Sequence, residues 1–244
     1  MTAEAASLDL SGTAVIIPAL NEAQGLSTLL PMLARMRLGQ IVVCDNGSVD
    51  ATRAVTEAHG ALWVYEARRG YGAACYAGMH RLSPSAQIVV FLDADLSDDA
   101  SLLPDLVYPI AKDECDLVIG ARAAHLREAG SMTAPQIFAN RLFPLLIRLG
   151  WGHRYTDMGP FRAIRRSSLE LIDMQDRAYG WTVEMQIRAV EEGLRIREIP
   201  VPYRRRRGRS KISGTLRGVL AAAYWIARTC GVLWVTKRGR RRRQ

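Results

Sequence analysis

Five short apolar runs, each followed by a stretch of different periodicity, limit what this chain can fold into. Residues 14–17, 41–44, 61–65, 88–92 and 117–119 are three to five residues long and apolar throughout. Runs of that length read as strands buried on both faces, the condition of a parallel sheet. Between them, residues 22–36, 50–59, 73–81 and 101–111 suit helices. The alternating order predicts a doubly wound α/β sheet with right-handed crossovers. Ligands of such sheets bind at the carboxyl ends of the strands, so the residues after each run carry the functional reading.

Polar motifs occupy those places. Pro18-Ala-Leu-Asn-Glu22 follows the first run and Asp45-Asn-Gly-Ser-Val-Asp50 the second. Glu66-Ala-Arg-Arg-Gly-Tyr-Gly72 follows the third, Asp93-Ala-Asp-Leu-Ser97 the fourth and Gly120-Ala-Arg122 the fifth. Five motifs in register on one edge describe a site.

Asp93 and Asp95 come directly off a buried strand, where two carboxylates can share one hard cation. Mg2+ or Mn2+ there would stabilise a diphosphate as a leaving group. The competing reading is an acidic turn that caps the helix beginning nearby. Asp45 can accept the imino N–H of uracil or guanine, while Asp50 reads as a helix cap. Asn21 is accounted for as the cap of the first helix, and Glu22 either complements that helix's dipole or binds ribose or base. Arg68 and Arg69 sit in a glycine-containing loop before a helix and can grip a phosphate there, or be solvated. Asp157 lies in a Gly/Pro turn and can act as a base or orient an acceptor. Glu184 either joins the site or stabilises the first turn of its helix.

Beyond residue 125 the pattern changes. Residues 136–149 form an amphipathic helix, 161–164 a short strand, 182–192 a helix, 194–199 a strand and 203–211 a basic loop. Arg204–Arg207, Arg209 and Lys211 suit a lid that closes on phosphates. Residues 216–235 are apolar but contain Arg217 and Arg228, so an interfacial or domain-packed helix is expected rather than a span. The net charge of +9 is concentrated late: from Ile199 on there are fourteen Lys and Arg residues and no Asp or Glu. Such a tail suits an anionic partner, such as a phosphate-bearing substrate or an anionic lipid surface. Nothing interleaves aromatic residues with it as nucleic-acid modules do, so no specific nucleic-acid partner is expected. The four cysteines form no Cys-x-x-Cys pair, and no secretory signal precedes the first run, so a cytoplasmic setting is expected.

Taken jointly, Val15-Ile-Ile-Pro-Ala-Leu-Asn-Glu22, Val43-Cys-Asp-Asn-Gly-Ser-Val-Asp50, Phe91-Leu-Asp-Ala-Asp-Leu-Ser97, Gly120-Ala-Arg122, Asp157-Met-Gly-Pro-Phe-Arg162 and Gly208-Arg-Ser-Lys211 resemble family 2 glycosyltransferases. Within them, the polyprenol (dolichol)-phosphate mannose/glucose synthases are the nearest group. The resemblance covers roughly residues 12–215 and implies a GT-A fold, a Rossmann-like, mostly parallel sheet flanked by helices, followed by an appendage over 216–244. It also implies inverting transfer of a hexose from a UDP- or GDP-sugar to polyprenyl phosphate, with the protein peripheral on the cytoplasmic membrane face. Pro18, Leu20, Glu22, Asp45 and Arg69 would then line the nucleotide-sugar pocket with Asp93 and Ala94. Asp93 and Asp95 would hold Mg2+ or Mn2+, and Arg122, Arg205 and Lys211 would meet phosphates. The catalytic set would be Asp157, Arg122 and Glu184. A soluble acceptor is the alternative, with Asp157 then the base. A nucleotidyltransferase is disfavoured because Pro18–Glu22 stands where its glycine-rich basic loop would be.

Overall fold

The computed structural model describes residues 8–206, 224 and 227–235. Seven strands form one sheet: β1 (Thr13–Ala19), β2 (Gln40–Asp45), β3 (Leu62–Tyr65), β4 (Ile88–Phe91), β5 (Leu117–Arg127), β6 (Arg162–Arg165) and β7 (Ile196–Tyr203). Their spatial order is β3-β2-β1-β4-β6-β5-β7. β1, β2, β3 and β4 run parallel, β6 is antiparallel to both β4 and β5, and β7 is parallel to β5.

The apolar runs form the strands because both sheet faces are covered. Val15 and Ile17 of β1 face α1 (Ala23–Ala34) and α4 (Leu103–Ala111), through Leu26, Leu30, Leu106 and Ile110. Ile16, between them, faces the other way with Val42 and Phe91. That second layer is built by α3 (Tyr71–Met79), α5 (Ala134–Trp151), α6 (Arg166–Leu171) and α7 (Trp181–Glu191). α2 (Thr52–Ala58) packs beside α1. The two-residue period thus distributes one strand between two cores.

Three sequence expectations shift. The segment expected as one helix from residue 101 begins as a 3-10 turn, Ala100–Leu102, before α4. β5 runs well past its apolar run, because its polar half pairs with β7 and its register shifts between Arg122 and Arg127. The short strand near residue 161 enters antiparallel, between β4 and β5. Residues 227–235 are helical, and Cys230 and Leu233 join the second core. The expected basic loop and apolar helix fall largely outside the described residues, as does Lys211.

Candidate active site

The carboxyl ends of β1 and β4 open into a cavity of about 230 Å³. Its lining includes Pro18, Leu20, Glu22, Arg69, Asp93, Ala94 and Asp95, the residues expected there, together with Asn46, Tyr71, Tyr179 and Arg206. The floor exists because Gly25 lets α1 lie directly on the acidic turn. A Cβ at Gly25 would stand 2.0 Å from the Ala94 carbonyl oxygen, so any side chain there would displace the helix. Leu96 closes the turn at φ 62, a left-handed conformation uncommon for a branched apolar residue.

Each carboxylate has a distinct setting. Asp93 accepts from the Tyr71 hydroxyl at 3.1 Å. Burial and the neighbouring Asp95 charge push its carboxyl up to about 7. Asp95 accepts from the Ser97 amide at 2.9 Å and from its hydroxyl. The other Asp95 oxygen lies 3.3 Å from the Arg206 guanidinium, which also reaches Glu22 at 3.2 Å. Arg206 therefore supplies positive charge between two acidic groups. Hard oxygen donors lacking charge balance suit a divalent cation that keeps several waters and takes substrate phosphate oxygens. Among the described residues no three His, Cys, Asp or Glu side chains converge, so Asp93 and Asp95 would hold Mg2+ or Mn2+ only together with such outside ligands.

Beside it lies a second cavity of about 640 Å³, lined by Arg122, Arg127, Arg141, Asn140, Asp157 and Glu198 among others. Arg122 and Asp157 clamp each other at 2.8 and 3.0 Å, and the Arg122 amide also donates to Asp157. Burial pushes the Asp157 carboxyl up, but the Arg122 guanidinium outweighs it and leaves it below the usual carboxylate value. Asp157 is thus held ionised and committed, a poor base but a firm seat for Arg122. Asn140 on α5 accepts from Arg122 at 3.3 Å and from the Met158 amide at 3.0 Å.

The segment after Asp95 joins the two cavities. Asp98 bridges Tyr203 in antiparallel pairing, and the Arg122 guanidinium sits 5.0 Å from the Tyr203 ring centre. Asp98 is buried, and neither carboxylate oxygen has a hydrogen-bond partner. Burial, then the charge of Asp93, raises its carboxyl well above the ordinary value.

Three placements differ from the sequence reading. Asn21 does not cap α1; at φ 52 it accepts from the Val49 amide at 2.7 Å. The first amides of α1 are taken from across the cleft, Glu22 by the Thr52 hydroxyl at 2.9 Å and Ala23 by Asp50 at 3.2 Å. Glu184 lines neither cavity: it accepts from the Gln175 and Asp176 amides and pairs with Arg188 at 2.7 Å. Arg205 turns away, its guanidinium donating to the Ala129 carbonyl at 2.7 Å, while the next residue, Arg206, enters the cavity. Successive side chains of extended backbone point to opposite sides, which the run of four arginines disguised. Asp45 is buried next to the first cavity and already accepts from the Ser48 amide at 2.7 Å and the Trp63 indole at 3.1 Å.

Tyr71, Tyr179, Asp98 and Glu198 were missed by sequence reasoning. Only Tyr71 carried a signal, as the residue between the two glycines of the third motif.

The signature described as Glycosyl transferase family 2 matches residues 14–172. An uncharacterized glycosyltransferase of Mycobacterium tuberculosis is 38% identical over 217 residues, spanning 86% of this chain and 95% of its own. A dolichyl-phosphate hexose transferase of Haloferax volcanii is 30% identical over 221 residues, 89% of this chain and 93% of its own. Among solved structures, glucosyl-3-phosphoglycerate synthase from Mycobacterium tuberculosis, in complex with Mn2+, UDP and glucosyl-3-phosphoglycerate, superposes with a TM-score of 0.69. That superposition has 22% identity and covers 90% of this chain and 80% of the other, a likeness of fold. Because the matched signature covers more than half its length, the chain belongs to glycosyltransferase family 2.

Proposed function

We propose that this protein is an inverting, metal-dependent hexosyltransferase that moves a hexose from a UDP- or GDP-sugar to polyprenyl phosphate at a membrane surface. The observation that carries the reading is the adjacency of two unlike cavities across residues 93–98. One is acidic around Glu22, Asp93 and Asp95, and the other is lined by Arg122, Arg127 and Arg141. The acidic cavity takes the donor, with Pro18, Leu20 and Glu22 against the nucleoside and Arg69 and Arg206 toward the diphosphate. The cationic cavity takes the acceptor phosphate.

In this reading the acceptor oxygen is already an anion and attacks the sugar C1 from the face opposite the diphosphate. The new C1–O bond forms as the C1–O bond to the diphosphate breaks, the electron pair leaves on the diphosphate, and the configuration at C1 inverts. Mg2+ or Mn2+ held by Asp93 and Asp95 would supply charge stabilisation of the leaving diphosphate. No proton need be taken from the nucleophile, so positioning by arginines outweighs general-base catalysis. Asp157 then serves by holding Arg122. The dolichyl-phosphate substrate named for the Haloferax relative, and the Mn2+ and UDP of the structural neighbour, are consistent with this assignment.

The test is transfer from labelled UDP- and GDP-hexoses to a detergent-dispersed polyprenyl phosphate with Mn2+. The expected product is the polyprenyl-phosphate hexose. The Arg122→Gln/Asp157→Asn double variant leaves no bare buried charge. It is expected to lower kcat/KM for the acceptor by about tenfold or more while nucleotide binding persists. Transfer only to a soluble acceptor would keep the enzyme class and overturn the lipid assignment.

A further inference from the structure

α5 has two apolar faces, and its core covers one. Phe143, Pro144 and Ile147 point inward and are buried. Phe138, Leu145 and Leu149 point outward and are 67%, 49% and 75% exposed, with half-buried Leu142 between them. The spacing 138, 142, 145, 149 is a helical stripe opposite the buried one. Residues 227–235 extend it. Their inner side chains Cys230 and Leu233 are buried, while Trp234 and Val235 are 42% and 66% exposed. A groove lined by Leu146, Leu149, Trp151, Cys230 and Trp234 joins the two helices. A continuous apolar surface built from two elements is more than the scattered exposed leucines of ordinary surfaces.

The charge around it selects the occupant. Arg141 and Arg148 are exposed and seven residues apart, on one flank of the stripe, and Arg154 is exposed just beyond the helix. No Asp or Glu occurs from Ala129 to Thr156, and none after Ile199. A second copy of this chain on the face would bring arginines against arginines. A bilayer carrying anionic lipids offers apolar depth for the leucines, an interface for Trp234 and phosphates for the cations. No helix among the described residues is long and apolar enough to cross a membrane, so α5 would lie in the plane of the surface.

We propose that the outer face of α5 and residues 227–235 together form a docking surface for an anionic lipid bilayer. This deepens the polyprenyl-phosphate reading and rests on it in one respect, the route of the acceptor. Ile137, Asn140 and Arg141, on the first half of α5, line the cationic cavity, so a lipid phosphate leaving the headgroup layer reaches Arg122 along the helix that is docked.

The test is flotation of the full chain with vesicles of phosphatidylcholine alone and of phosphatidylcholine with phosphatidylglycerol. The wild type is expected to float with the anionic vesicles. Leu145→Ser/Leu149→Ser keeps every cation and is expected to lose about tenfold or more in vesicle affinity, since both positions trade apolar burial in the bilayer for a hydroxyl. Its melting temperature and its nucleotide binding in solution are expected to match the wild type. Unchanged flotation of that variant would assign binding to the basic tail and overturn the proposal. Concentration-dependent dimerisation in sedimentation, lost in the variant and without flotation of the wild type, would also overturn it in favour of a second copy. Activity separates this inference from the reading beneath it. Transfer to a short, water-soluble polyprenyl phosphate without any flotation would sink the docking face and keep the acceptor. Apolar-dependent flotation without transfer to any polyprenyl phosphate would keep the face and sink the acceptor.

Discussion

Asp98 is the residue whose placement costs the fold most visibly. A buried carboxyl without hydrogen-bond partners is expensive ionised and must take up a proton instead. Its folded value is raised, so between the ordinary carboxylate value near 4 and the raised one the native state binds a proton that the unfolded chain does not, and stability falls as pH rises. Asp98→Asn is therefore expected to match the wild type near pH 4 in metal-free thermal unfolding. By pH 8 it should be more stable by on the order of 1 kcal/mol. Turnover is expected to fall about tenfold or more, because groups that strain a fold persist where function needs them. A variant no more stable at pH 8, or one with full turnover, contradicts this. In the sequence Asp98 looked like one acid in a capping run, since nothing local distinguishes it from Asp99, which does accept from Ser101 at 3.1 Å. Asp93 and Asp95 were legible because a strand end followed by Asp-x-Asp is a local pattern. Arg206 was not, because choosing among four consecutive arginines depends on where β7 stops.

At the scale of elements, the edge opposite the site is held by charge. Asp113 and Asp116, between α4 and β5, meet Arg165 of β6 and Arg195 just before β7, at 2.7 to 3.4 Å. These ion pairs fix the antiparallel β6 and the far strand β7 to β5. Hydrogen bonds from Arg195 hold the Asp116 carboxyl down at about 2. A depressed carboxylate contributes stability above its unfolded value near 4 that is lost as pH falls toward 2. Asp116→Asn is thus expected to melt below the wild type at pH 7, with the gap closing between pH 4 and 2; a gap constant across that range would refute the pairing. β1, β2 and β4 were legible because buried parallel strands are short apolar runs in sequence, and β3 is an equally apolar run although it lies at the sheet edge with no fully buried residue. The second half was less so. β5 is apolar for only part of its length, and the direction of β6 depends on which neighbours it meets, a long-range matter that no local pattern encodes. Residues 136–149 were rightly read as amphipathic, yet the exposure of their outer apolar stripe emerged only once α5 was packed.

For the whole molecule, the sheet divides the work. The parallel half from β3 to β4 carries the acidic cavity, and the mixed half from β6 to β7 carries Arg122, Asp157 and Glu198. The matched family signature ends at residue 172 and takes in most of both linings, leaving Tyr179 and Arg206 of the acidic cavity and Glu198 and Pro200 of the cationic one beyond it. Donor chemistry was easier to read from the motifs than acceptor chemistry, because Asp93-Ala-Asp95 is a local pattern at a strand end whereas Arg122 meets Asp157 across 35 residues of sequence. The proposed metal-dependent nucleotide-sugar site at Asp93 and Asp95 is open to calorimetry. UDP, GDP and their hexose conjugates are titrated into the wild type and Asp95→Asn, each with and without Mn2+. One nucleotide is expected to bind the wild type only with Mn2+, and Asp95→Asn, still folded, to lose that binding. Folded wild type that binds no nucleotide, or binds equally without metal and in the variant, would contradict it.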